Sequence, residues 1–107
     1  MTVPTYTVSI HMAGDIEAAK NVIRRRCYNY GLCVTVTAAL FIYTGGEESG
    51  FTVGLVNYPR FPATPDEIWQ KATQLVAELL PACNQRSALI VAPDKTEWIT
   101  IDPPGAE

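Results

Sequence analysis

The chain has 107 residues, enough for one domain that buries about 65% of its unfolded surface without a metal or disulfides. Apolar residues make up 48% of it and charged ones 18%, a globular balance that excludes intrinsic disorder. The formal charge of −3 argues against a nucleic-acid partner or an anionic membrane, since both bind clustered positive charge.

Along the chain, Tyr6, Val8, Ile10 and Met12 alternate with Thr7, Ser9 and His11, the period of a half-buried strand. A helix follows, with Asp15 as N-cap and Gly31 as its stop. Its inward face is expected to hold Ile16, Ala19, Ile23, Cys27 and Tyr30. The next run, LCVTVTAALFIYT, is β-rich, but its alternation slips at Ala38-Ala39, where a bulge or bend is expected. GFTVGLVNY supplies another strand. After the stiff PRFP connection, Thr64-Pro65-Asp66-Glu67 has the form of a capping box with proline at the first helical position. That helix turns Ile68, Ala72, Leu75 and Leu79 inward, widened by Trp69, Val76 and Leu80, and ends near Pro81. SALIVAPDKTEWITI gives two short strands about the turn Ala92 to Lys95.

Strand, helix, strand, strand, helix, strand, with one extra C-terminal strand, is an α+β order. It matches the ferredoxin-like split βαβ sandwich (βαββαβ), an antiparallel sheet with both helices on one face. Residues 1–107 are expected to form a single domain, with 102–107 a loose tail.

YTGGEESGFTVG, between the second and third strands, has the glycines of a phosphate loop. The context excludes that role: no helix follows, Glu47 and Glu48 repel an anion, and neither GxGxxG nor a Walker pattern fits. Gly45, Gly46 and Gly50 are expected instead to take positive φ in a hairpin loop of roughly four to six residues.

Cys27, Cys33 and Cys83 lack the spacing of a zinc or redox motif and are expected to be reduced, with no metal and no cofactor. Arg24, Arg25 and Arg26 fan around the polar side of the first helix, where cations complement the helix dipole. Tyr58 and Phe61, around Arg60, are expected to pack where the second helix begins. His11, the one histidine, lies in phase with Ser9 on the open sheet face, near Thr35 and Thr37. Candidate binding residues are therefore Ser9, His11, Thr35, Thr37, Tyr58 and Arg60, with His11 the one catalytic candidate.

One histidine and no nucleotide loop favour a non-catalytic protein-interaction or regulatory module that uses the open face or an edge strand. The alternative is a small enzyme or ligand-sensing domain using His11 with sheet hydroxyls and Arg60. The expected partner is another protein or a second copy, as a dimer, because Leu89, Ile90, Val91, Val53, Leu55 and Val56 make both strand faces apolar. The start of the sequence has no basic flank or unbroken apolar stretch, and no run is long enough to span a membrane. A cytoplasmic location is expected.

Overall fold

A computed structural model describes residues 1–101; the tail expected over 102–107 lies outside the described residues. The elements in chain order are β1 (Thr7–Ala13), α1 (Ile16–Tyr30), β2 (Thr35–Tyr43), β3 (Gly46–Val56), α2 (Pro65–Ala82), β4 (Ser87–Val91) and β5 (Thr96–Thr100). They form one antiparallel sheet in the order β2-β3-β1-β4-β5. The first four strands have the order of the ferredoxin-like split βαβ sandwich, and β5 extends the sheet beyond β4.

Alternation decides which face is covered. Val8, Ile10, Met12, Phe51, Val53, Leu55, Ala88 and Ile90 point to the helices and are buried. They meet Ala19, Val22 and Ile23 of α1 and Ile68, Ala72, Leu75, Val76, Leu79 and Leu80 of α2. Each large side chain so buried stabilises the fold by about 1.5–3 kcal/mol relative to exposure. Val22 takes the inward place expected of Tyr30, which is exposed beyond the last covered turn of α1.

Local signals set the helix ends. Asp15 accepts the Glu17 N–H at 2.9 Å, and Gly31, at φ 63°, closes α1 with its N–H on the Cys27 carbonyl. In α2, Thr64 Oγ1 accepts the Glu67 N–H at 3.2 Å while Glu67 Oε1 accepts the Thr64 N–H at 2.9 Å. Pro81 stands inside the final turn of α2.

Three local expectations are corrected. No bulge interrupts β2: its register with β3 is continuous from Thr35↔Gly54 to Tyr43↔Gly46. The apparent slip arises because the β2–β3 hairpin outruns the helices, which leaves Leu40 and Ile42 of the helix side exposed. The hairpin turn is tight, with Glu47, Glu48 and Ser49 in the strand, and of its three glycines Gly45 alone has positive φ, at 92°. Arg26 does not join a solvated basic fan. Its guanidinium donates to Glu78 at 2.6 Å and Gln74 at 2.8 Å and lies over the Tyr30 ring, tying α1 to α2.

Candidate functional site

The sheet face away from the helices carries the chemistry. Register places Thr37, Thr52, His11, Leu89 and Trp98 in one row across all five strands. The next row holds Thr35, Gly54, Ser9, Val91 and Thr96. Apart from Thr96 of β5, hydroxyls thus lie on β1, β2 and β3 and apolar groups on β4 and β5, with His11 at their border.

Ser9 Oγ and His11 Nε2 share a hydrogen bond of 3.0 Å, whose direction follows the imidazole tautomer. The two residues alternate on one strand, so the pair was legible from the period of two. Thr35 and Thr37 share the face but lie on the edge strand with β3 between them and His11. The Thr35 hydroxyl leans over Gly54, where an added Cβ would stand 2.5 Å from it.

Tyr58 and Arg60 are not brought to His11. Both follow β3 at the sheet end remote from the hairpin, where Tyr58 bridges to Phe61 and Arg60 lies 5.9 Å from the Phe61 ring. Phe61 is exposed, so it does not seal the start of α2. Asn57 fastens this corner, donating to the Pro4 carbonyl at 2.8 Å and accepting the Ala63 N–H at 2.9 Å. Cys33 Sγ and the Tyr58 hydroxyl share a hydrogen bond of 3.4 Å. With the phenol as its donor, that bond, then negative charge on the sulfur, raises the Tyr58 phenol above its ordinary value. All three cysteines are free. Burial pushes the Cys27 and Cys83 thiols up, with Cys33 and Asp15 adding to the respective shifts, which makes both poor nucleophiles.

A groove of about 250 Å³ opens beside His11 towards the hairpin, lined by Ala13, Phe41, Tyr43, Glu48, Gln85, Ser87, Leu89 and Trp98. Small residues form its floor. At Gly50, opposite Ala13, an added Cβ would stand 2.7 Å from the Phe41 ring, so the ring lies over the glycine. Glu48 pairs with Phe41 in register, and its charge, followed by partial burial and a hydrogen bond to it, holds the Tyr43 phenol above its ordinary pKa. The phenol stays neutral across the physiological range. Phe41, Tyr43 and Glu48 were missed because the expected bulge and long loop took them out of phase with Thr37. Their signal was the unbroken alternation Thr35, Thr37, Ala39, Phe41, Tyr43.

Larger hollows lie elsewhere: about 430 Å³ between Val3–Tyr6 and Pro62–Glu67, and about 390 Å³ beside Arg25, Arg26 and Glu78. Neither is lined by the histidine or a thiol. Among the described residues no three His, Cys, Asp or Glu side chains converge as a metal site, and no helix is long and apolar enough to cross a membrane.

No protein-family model and no curated protein matches the sequence. Two solved structures do match the fold. A phage SAM lyase in its apo state is 16% identical, with a TM-score of 0.69 over 92% of this chain and 90% of that one. A phage SAM lyase in complex with S-methyl-5'-thioadenosine is 13% identical, with a TM-score of 0.60 over 90% of this chain and 89% of that one. At these identities the likeness establishes the architecture. Both neighbours are nonetheless enzymes, which contradicts the expectation of a non-catalytic interaction module and agrees better with its alternative, a small enzyme or ligand-sensing domain.

Proposed function

We propose that this chain is a lyase that cleaves S-adenosylmethionine, or a sulfonium nucleoside of the same build, in the groove beside His11. The observation that carries the reading is the agreement of fold over 92% of the chain with a phage SAM lyase. The groove has suitable chemistry. A sulfonium is a cation, and Glu48 supplies a carboxylate while Phe41 and Tyr43 supply aromatic faces beside it.

Release of S-methyl-5'-thioadenosine breaks the bond between sulfur and the amino-acid arm. The electron pair goes to sulfur, which leaves as a neutral thioether and needs no proton. A lyase adds no water, so the arm departs either closed on its own carboxylate or as an alkene. Ring closure forms the carboxylate O–C bond as the C–S bond breaks, and asks the protein to hold the arm folded and dry. Alkene formation also needs a base for the neighbouring C–H proton. A chain with a single imidazole suits the first route, with His11, itself hydrogen-bonded to Ser9, giving the bound nucleoside a fixed polar contact in the groove.

The test is incubation of the purified protein with S-adenosylmethionine, with S-methyl-5'-thioadenosine followed by chromatography and the second product by proton NMR. Formation of the thioether well above the spontaneous rate is expected, and His11→Ala should slow it by about a hundredfold, the scale of a misplaced reactant. No thioether above the spontaneous rate, at micromolar enzyme, refutes the reading.

The same reading sets the protein in the cytoplasm, where three free thiols persist. We propose separately that the chain pairs with a second copy through the sheet. Edge strand β2 supports this, with Leu40 51% and Ile42 74% exposed and its outer backbone groups unpaired in the sheet.

A further inference from the structure

Two tryptophans occupy contrasting places. Trp69, on α2, is half-buried, and Lys95 Nζ lies 4.2 Å from its ring centre, so that face is occupied. Trp98, on edge strand β5, is 63% exposed, pairs with Leu89 and forms one wall of the His11 groove. An indole so exposed on a short strand gains little from burial, yet it presents the largest flat apolar surface in the groove.

The opposite end of the groove is charged and polar, at Glu48 and Tyr43, with Gln85 and Ser87 along its length. A nucleoside sulfonium has the same division, a flat base at one end and a charged arm at the other. Stacking on an aromatic face suits any purine and does not require the base to be fully enclosed, as a half-open groove on a sheet cannot enclose it.

We infer that Trp98 is the platform on which the purine of the substrate stacks, and so the residue that selects a nucleoside sulfonium over a sulfonium lacking a base. This rests on the lyase reading above. The orientation follows: base over Trp98 and Leu89, ribose across the Ala13 and Ser87 floor beside His11, and sulfonium and arm towards Phe41, Tyr43 and Glu48.

The experiment uses the full chain and two probes that are not turned over, S-methyl-5'-thioadenosine and 5-methylthioribose, which keeps the sugar and thioether and lacks the base. Affinities are measured by calorimetry for the native protein, Trp98→Ala and Trp98→Phe. Trp98→Ala should weaken S-methyl-5'-thioadenosine by roughly tenfold to a hundredfold, the range for loss of one base–aromatic stack, while Trp98→Phe recovers most of it. Binding of 5-methylthioribose should be the same in all three. Native binding of the nucleoside retained within twofold by Trp98→Ala overturns the platform and leaves the lyase reading standing. Equal loss of both probes also overturns it, by showing a general disturbance of the groove. No binding or turnover by the native protein overturns the lyase reading and the platform together. Because Trp98 is mostly exposed, the variants should keep the native circular dichroism and melting temperature.

Discussion

Gly50→Ala should be among the most destabilising single-methyl additions in this sheet. An added Cβ would stand 2.3 Å from the Met12 carbonyl oxygen and 2.7 Å from Ala13 Cα, both backbone atoms, as well as 2.7 Å from the Phe41 ring. The ring can swing away; the β1 backbone can yield only by moving from β3 by about 1 Å, judged against ordinary carbon contacts of about 3.5 Å. That motion loosens the Ala13↔Gly50 pairing and the adjacent Gly14 N–H to Ser49 carbonyl bond of 3.1 Å. Overpacking of about 1–3 kcal/mol and a weakened hydrogen bond of about 1 kcal/mol give a loss of about 3 kcal/mol. Gly54→Ala is the internal control: its Cβ meets Thr35 Oγ1 at 2.5 Å and nothing else nearer than 3.9 Å, and that hydroxyl can rotate on its edge strand. It should cost under about 1 kcal/mol. Urea unfolding followed by circular dichroism reads both as midpoint shifts at constant slope, with Gly50→Ala moving by about 1.5 M for a slope near 2 kcal/mol/M. Phe41→Ala should not rescue Gly50→Ala, because the backbone obstacle remains. Equal costs for the two glycine variants, or full rescue, would refute the register at the groove floor.

Thr64→Ala should lower stability by about 1 kcal/mol through loss of the α2 cap, and a loss below about 0.3 kcal/mol in the same urea assay would show the cap unused. The Tyr6 phenol is raised above 10.0 first by burial and then by its 3.0 Å hydrogen bond to Asp94, which favours the neutral form in the folded chain. Its contribution is therefore complete below about pH 10 and lost as pH rises through the folded-state value, so Tyr6→Phe should flatten the alkaline limb of the melting-temperature profile; an unchanged limb would assign alkaline unfolding to another group. Light scattering after size exclusion should give a mass above the 11.7 kDa of one chain at micromolar concentration, and Leu40→Glu with Ile42→Glu should reduce it; a native mass of one chain would sink the proposed self-association.

The fold was legible where short-range chemistry acts alone. Asp15, Gly31 and the Thr64–Glu67 box mark their helix ends in sequence because each is satisfied within a few residues. The pairing of Ser9 with His11 was legible for the same reason, since alternate residues of a strand share a face. Phe41 and Glu48 required knowing how far the hairpin outruns the helices, a question of tertiary extent. Hydrophobic alternation reports burial, and past the helix layer burial no longer tracks which way a side chain points. That Arg60 lies away from His11 was not legible, because a setting of prolines and aromatics marks a tight corner as readily as a binding loop.

The division of labour between the two sheet faces explains why the site lies where it does. The helix-covered face is built wholly from apolar side chains, and among the described residues no polar or charged residue is buried. Placing an imidazole or carboxylate there would cost several kcal/mol unless paired, and neither helix offers it a polar partner. Helix α2 packs on β1, β3 and β4, so β2 and β5 flank the strands it covers and carry the exposed aromatic groups Tyr43 and Trp98. His11 stands on the central strand between those flanks, and the alternate residues of that strand, Val8, Ile10 and Met12, are buried under the helices. Under the proposed lyase reading, a ligand on the open face would take its fixed polar contact from His11 at the centre of the sheet and its apolar and charged contacts from β5 and the hairpin at the margins.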